Sequence, residues 1–550
     1  LAARKRSRKA TPAPAAAAPA PRPSSAPRAL PLAAAIGAFA LHLPFVLRYD
    51  LHFQPDFAVS VLMSRAIAFE GEHPIFFWGQ GYLGTYGCYL TALLFRLFGV
   101  SIPLAGAVSL AIWAAGVGLA TALAGRLLGG RAALWTAVAA AVASPYANHY
   151  ITQPFTSYET APVLSVLTLG ALLWGERLAG RPLSSRTAVA WAGLGVALGV
   201  AWWTTRLFVP SLVAVMLAVV LCHGLRALGT RSALVVVALL VAAALAGDGL
   251  EIAYRLHGDA VPQDTPSLAI APSDMLADNV TQGVGSLAAY FNGDPRARWP
   301  EGATFALGLA LGLDAYEGAE FQPGPIGMAL DALAVVAMAA VIVTSIRLAL
   351  RARRQGNAPL LALGLAVLVH LAIIITSAQT RGGYFEARRY WYGSLLVLPI
   401  LFAAAIEWAE ETRRAAVRWG ARAFGAVLVL ASLGSQARML ALDDELADYR
   451  VLTRELVASG EHALFMPAWD VWLVSALSGG TIDGVCTHYL RRPDQVERVA
   501  RAERMAVVLP ADVDFPPTLE IGDAVFEEPS ETPHTLGPWR WVPYVRRPAA

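Results

Sequence analysis

The sequence predicts an all-α polytopic membrane protein of about eleven transmembrane helices, followed by a small α/β domain at its C-terminal end. Three observations predict it. Of 550 residues, 56% are hydrophobic, against roughly 45–50% in soluble globular chains. The excess gathers in runs of roughly 16–24 residues, long enough to cross a hydrocarbon core of about 30 Å as helices. Arginines fall on alternate breaks between these runs, and from about residue 440 the pattern changes to alternating helix-like and strand-like stretches. In lipid every backbone amide must be satisfied within its own segment, and no β-barrel alternation is present, so the runs read as helices.

Residues 1–29 are Ala, Pro, Ser, Arg and Lys with hardly any large apolar residue, a composition for a disordered basic tail. The cluster Arg4, Lys5, Arg6, Arg8, Lys9 precedes the apolar run 30–47. A signal peptide is the alternative, but no small-residue cleavage site follows, so the run reads as an uncleaved first span with a cytoplasmic N-terminus. Further apolar segments lie near 83–98, 103–125, 132–147, 161–175, 187–204, 207–223, 232–248, 325–346, 359–377, 391–408 and 423–437.

The segment 83–98 is the doubtful one. It carries several tyrosines, Gly84, Gly87 and Arg96, with its apolar residues on one face, as an interfacial helix would. Arginine placement decides. If 83–98 does not span, the breaks holding Arg126 and Arg131; Arg177, Arg181 and Arg186; Arg226 and Arg231; Arg347, Arg351, Arg353 and Arg354; and Arg413, Arg414, Arg418 and Arg422 all face the cytoplasm. The opposite short breaks hold only Arg206, Arg381, Arg388 and Arg389, fifteen against four. Eleven spans follow for a module over 30–438, with outer loops at 48–98 and 249–324 and an extracytoplasmic domain over 439–550. The expected location is the plasma (inner) membrane. Within the second loop, 274–291 can form an amphipathic helix. In the tail, 443–459 and 471–478 are helical in pattern, and 462–466 and 504–509 strand-like.

Several functions are not indicated. Cys88, Cys222 and Cys486 are far apart and without metal-ligand spacing, so they read as buried small residues. There is no nucleotide fingerprint, no internal repeat of the transporter kind, and nothing that points to a nucleic-acid partner. Asn279-Val280-Thr281 matches a glycosylation acceptor, a match common by chance. His42 and His370 lie within spans without ionisable neighbours at helical spacing, as histidines bonded to an adjacent helix do. Glu407, near the inner end of its span, reads as snorkelling or arginine-paired.

The first outer loop gathers Asp50, His52, Asp56, Glu70, Glu72, His73, Trp78, Gln80 and Tyr82 at one membrane surface. Glycosyl transfer to a hydroxyl needs a carboxylate to accept the proton, and aromatic and amide groups to grip a sugar ring. Asp56 follows Pro55 at the head of a helical stretch, so helix N-capping and function both fit it. The second outer break, 150–160, places Tyr158 and Glu159 at the mouth of a span, where an ionisable group is a functional candidate or simply solvated. Asp56 and Glu159 could together bind a divalent cation. Arg206, Arg381, Arg388, Arg389 and the adjoining Tyr390 stand against the arginine bias; a lipid-linked phosphate would account for them, as would snorkelling to headgroups.

The order of these stretches resembles a known family. It runs D-F-A at 56–58, H-P-I-F-F-W-G-Q-G-Y-L-G-T at 73–85, L-F-R-L-F-G-V at 94–100, S-Y-E-T at 157–160, A-W-W-T-T-R-L-F-V-P at 201–210 and A-R-R-Y-W-Y-G-S-L-L-V-L-P at 387–399. It is similar to the GT-C glycosyltransferases, in particular bacterial relatives of the dolichyl-phosphate-mannose–protein mannosyltransferases. S-Y-E-T also echoes the second-loop acids of oligosaccharyltransferase catalytic subunits. The resemblance covers roughly residues 30–410 and is one of pattern. It implies inverting transfer of a hexose or pentose from a polyprenyl-phosphate donor on the outer face, to a glycan, lipid or protein acceptor. Asp56 matches the first-loop base, Glu159 the second-loop acid, and Arg388 and Arg389 the donor-phosphate contacts. His73, Trp78, Gln80, Tyr82, Tyr158, Arg206, Arg381 and Tyr390 are the other expected substrate contacts. Many members carry two adjacent first-loop acids; here the second position is Phe57. A flippase for lipid-linked glycans and an inactive scaffold of the same fold are the competing expectations.

Overall fold

The computed structural model describes residues 27–548 except 52, 144, 155–158, 180, 229–230, 258–324, 377–392, 468, 488–490, 493 and 529–531. Helix α1 (Leu30–Leu47) has Pro31 in its first turn, where a missing N–H costs nothing. The first loop then folds as α2 (Pro55–Arg65), a π-helical turn Ala66–Glu70 closed by left-handed Gly71, a hairpin of β1 (Phe76–Phe77) and β2 (Gln80–Gly84), and α3 (Tyr86–Phe98). Next come α4 (Ile102–Leu127), capped by Ser101, α5 (Gly130–Val142), the short α6 (Pro145–Ile151) and α7 (Thr160–Ala179). They are followed by α8 (Ser185–Thr204), which starts on a Ser184–Thr187 capping box, then α9 (Val209–Leu228), α10 (Arg231–Gly247) and α11 (Gly249–His257). The later helices are α12 (Pro325–Gln355), α13 (Ala358–Thr376), α14 (Val397–Glu410) and α15 (Ala415–Leu440).

Setting aside α2, α3, α6 and α11, eleven of the fifteen helices described up to Leu440 remain. Six of them (α1, α4, α7, α8, α12 over Val335–Gln355, and α15) are long and apolar enough on their own to cross a membrane. The bundle core is one apolar cluster running through α1, α4, α5, α7, α13 and α14, with Trp113, Leu396 and Ile400 at its centre. The histidines within it are satisfied: His42 Nδ1 pairs with Asn148 Oδ1 at 2.9 Å and Nε2 with the Ala141 carbonyl at 3.0 Å, and His370 pairs with Ser394. Glu407 lies 3.9 Å from Arg131, with Glu410 holding Arg131 and Arg422 at 2.8 Å each.

The doubtful segment, α3, packs with the first loop and the tail: Cys88, Ala92 and Phe95 belong to an apolar cluster that includes Phe57 and Trp472. Both its ends belong to one face: Tyr86 bonds Thr160 at the start of α7, and Phe98 leads straight into the start of α4. Its buried side holds Gly87, Cys88, Thr91, Ala92 and Phe95. Its other side exposes Leu90, Leu93, Leu97 and Phe98 by 44–72%. That apolar stripe suits a helix lying in the bilayer interface. An odd number of crossings also requires the end of the bundle to share a face with the first loop. It does: Arg48, just past α1, pairs with Asp50 and donates to the carbonyls of Leu440 at 2.7 Å and Leu442 at 2.9 Å.

The tail forms a small α/β domain on that same face. It comprises α16 (Ala447–Ala458), β3 (Ala463–Phe465), α17 (Val471–Leu477), β4 (Asp483–Val485), α18 (Gln495–Ala500), β5 (Arg504–Pro510), β6 (Thr518–Ile521), β7 (Ala524–Glu527), β8 (His534–Leu536) and β9 (Trp539–Arg546). The sheet order is β4-β3-β5-β9-β7-β6, with β8 beside β9; the first three strands are parallel and the rest antiparallel. The expected helices and strands of the tail occur within a few residues of their predicted bounds. One apolar cluster joins this domain to the first loop: Phe57, Trp78 and Phe95 share it with Trp472, Leu473 and Trp541. The expected helix at 274–291 lies outside the described residues.

Candidate functional site

The site is built where the first loop, the second loop and the tail domain meet. Helix α2 opens on Pro55 with Gln54 as its N-cap residue, so Asp56 stands in the first turn and is not the cap. Its carboxylate Oδ1 accepts a hydrogen bond from Arg491 Nη2 at 2.7 Å. Arg491 comes from the tail domain, 435 residues away in sequence, and its side chain is only 8% exposed. With its amide oxygen toward the guanidinium, Gln80 of β2 accepts from Arg491 Nη1 at 2.8 Å and Nη2 at 3.1 Å. The guanidinium carbon lies 5.0 Å from the centre of the Trp469 ring. Arg491 thus grips an acid and an amide from two different elements of the first loop.

Its neighbour Arg492 points into a second cluster. Nη2 donates to Glu70 Oε2 and Glu72 Oε1, both at 2.6 Å, and Nε lies 2.8 Å from Asp494. Arg498 reaches Glu70 at 2.8 Å and Asp494 at 2.7 Å, while Arg65 reaches Glu70 at 2.5 Å. Burial pushes the Glu70 carboxyl up, but Arg492 and Arg498 outweigh it and hold the group below its ordinary range. For Glu72 burial wins and the carboxyl is raised. Trp78 lies beneath Arg492, 5.1 Å from ring centre to guanidinium, and is buried.

The second loop reaches the first through Gln54, whose Nε2 donates to Gln153 Oε1 at 2.6 Å. Glu159, at the start of α7, is 1% exposed, and its Oε2 has no hydrogen-bond partner among the described residues. Burial raises its carboxyl well above the ordinary range, although Thr160 donates to it. Asp56 and Glu159 therefore lie on one face, in loops that touch, with different electrostatic surroundings. Arg206, past the end of α8, pairs with Glu251 of α11 at 2.6 Å and lies over Trp202 at 5.3 Å. Its buried Nε has no hydrogen-bond partner among the described residues.

Phe57 is 1% exposed and packs edge-on against Phe53 at 5.0 Å between ring centres, so the position of a second acid is apolar core here. The loop reaches the bundle through Gly84. A Cβ there would meet Thr204 Cα and the Trp203 carbonyl oxygen at 2.9 Å, so only glycine lets β2 lie this close to α8. His73 is exposed before the hairpin. Tyr158, Arg381, Arg388, Arg389 and Tyr390 lie outside the described residues, as does the side chain of Tyr82. Among the described residues no group of three or more His, Cys, Asp or Glu could hold a metal ion, and Asp56 is engaged by a guanidinium. Arg491 and Arg492 were not legible as site residues in the sequence. The only signal was a pair of acids, Glu70 and Glu72, with too few local cations.

No family model matches the sequence, and no curated protein matches it. Solved structures do match in fold. ArnT from Cupriavidus metallidurans bound to undecaprenyl phosphate aligns over 94% of this chain and 97% of its own, with a TM-score of 0.55 at 14% identity. Its apo state aligns over the same shares with a TM-score of 0.54 at 13% identity. The apo oligosaccharyltransferase of Archaeoglobus fulgidus aligns over 87% of this chain and 69% of its own, with a TM-score of 0.48 at 12% identity. The chain has the GT-C fold, with a polytopic helical bundle and a C-terminal domain.

Proposed function

We propose that this chain is a glycosyltransferase that moves a sugar from a polyprenyl-phosphate donor to an acceptor hydroxyl, with inversion, on the extracytoplasmic face of the plasma membrane. The observation that carries the reading is the placement of Asp56. It is a first-loop carboxylate held by Arg491, whose guanidinium Gln80 also engages, beside a loop that brings in Glu159. The GT-C fold of a protein crystallised with undecaprenyl phosphate supports a lipid-linked donor.

In this reading the acceptor oxygen attacks the anomeric carbon from the side opposite the phosphate. Asp56 takes the hydroxyl proton as that bond forms. The sugar–phosphate C–O bond breaks and polyprenyl phosphate leaves as an anion. Glu159, whose carboxyl burial raises above its ordinary range, orients substrate. Arg206 offers its unpartnered Nε–H to the departing phosphate, an electrostatic role that strengthens where water is scarce; Arg381, Arg388 and Arg389 are proposed for the same task. The lipid donor arrives laterally through the bilayer, so no nucleotide-binding domain is required. The arginine-rich ends of the helices set the orientation, with the first loop and tail domain outside.

The test is transfer of radiolabelled sugar from a panel of undecaprenyl-phosphate hexoses and pentoses by the purified chain in nanodiscs, with an envelope fraction as acceptor. Wild type is expected to transfer and Asp56→Asn to lose at least about 100-fold, the scale of removing a general base. Equal transfer by both would strip Asp56 of its role. Silence of both across the panel would favour an inactive scaffold.

A further inference from the structure

We infer that Arg491, carried by the tail domain, is a positioning residue of the transfer site, and that the site is complete only when that domain is docked. The inference rests on the proposed role of Asp56. Burying a guanidinium costs several kcal/mol unless it is fully paired, and docking of the domain already has its own ion cluster. Arg492 and Arg498 from the tail against Glu70 and Glu72 from the loop, over an apolar interface, supply that contact. Arg491 takes no part in it.

Adjacent residues 491 and 492 instead diverge, one into the anchor and one into the site. The geometry of Arg491 is that of a clamp. A planar fork is matched to two oxygen acceptors, and here they come from Asp56 on α2 and Gln80 on β2. Trp469 closes one face of the guanidinium. Because a base must be held within a fraction of an ångström of its productive position, a clamp on the Asp56 carboxylate sets where the acceptor hydroxyl is met. A lysine in this place is a point charge and holds one acceptor at a time.

The experiment compares wild type, Arg491→Gln, Arg491→Lys and Asp56→Asn in the nanodisc transfer assay, reading kcat and donor KM separately. Docking is read in parallel by maleimide labelling of buried Cys486, located by mass spectrometry. Arg491→Gln is expected to lower kcat about 100-fold, the scale of a misplaced catalytic group, with donor KM unchanged and Cys486 still protected. Arg491→Lys is expected to fall between, about tenfold down. Wild-type kcat in Arg491→Gln, while Asp56→Asn is silent, overturns the inference and leaves the proposed function standing. If Arg491→Gln exposes Cys486, Arg491→Lys decides: a drop of about tenfold with Cys486 protected supports the clamp, and wild-type kcat overturns it. Silence of wild type with every donor brings down both readings together.

Discussion

Arginine 492 is the residue on which docking of the tail domain should depend most. Its side chain is 9% exposed and meets Glu70 and Glu72 at 2.6 Å each. Removing one partner of a buried ion pair costs about 3–5 kcal/mol, because the other charge is left uncompensated. Two features put Arg492→Met at the lower end of that range. Glu70 keeps Arg65 and Arg498, and Glu72 is 29% exposed and can be rehydrated. A loss of about 3 kcal/mol shifts the docking equilibrium by about 100-fold. Cys486 belongs to the apolar cluster shared by domain and loop, so it reports the undocked population. Its maleimide labelling rate should rise about 100-fold in Arg492→Met when opening is fast relative to labelling. A rate within about twofold of wild type would refute the view that this cluster anchors the domain.

Other outcomes follow from the same geometry. The Glu70 part of docking should weaken with acid: the tail arginines hold its carboxyl below the ordinary value of 4.5, so its contribution is present above that value and lost as pH falls through the lower folded one, while Glu72, raised by burial, acts in the opposite sense. Hydrogen exchange of α17 between pH 6 and 3 checks this, and protection that stays constant contradicts it. Glu159 behaves oppositely: its raised folded value means stability is full below 4.5 and lost as pH climbs toward the folded value. Glu159→Gln should therefore flatten the fall of Tm with rising pH, as a pH series of thermal melts would record. Gly84→Ala forces a Cβ to 2.9 Å from backbone atoms of Thr204 and Trp203, and should cost about 1–3 kcal/mol as overpacking does; an unchanged Tm contradicts the close approach.

Hydropathy made the bundle legible, because a span must be apolar over its whole length whatever it packs against. The one-sided packing of α3 was legible for a related reason: an apolar stripe along a helix is local. The tail was legible only in part. Strand β4 has three residues, Asp483–Val485, too short for an alternation to register. Strand β9 contains Pro543, which reads as a break. In the fold β7 pairs with β9 only at Val545 and Arg546, and β8 only at Trp539–Trp541, so the proline falls where that edge of β9 has no partner. The acids Asp56 and Glu159 stood out because a loop beside a membrane draws attention to its carboxylates. Arg491 did not, since nothing local marks an arginine whose partner is 435 residues distant.

That separation bears on how the protein is made. Asp56, Glu70 and Glu72 are synthesised 420–435 residues ahead of the arginines that neutralise them. The nascent chain therefore makes all its later helices while an acidic loop, with Arg65 as the local partner of Glu70, waits for the arginines of the tail. On the proposed role of Arg491, a chain that stalls before it would carry an inserted bundle whose transfer site is incomplete.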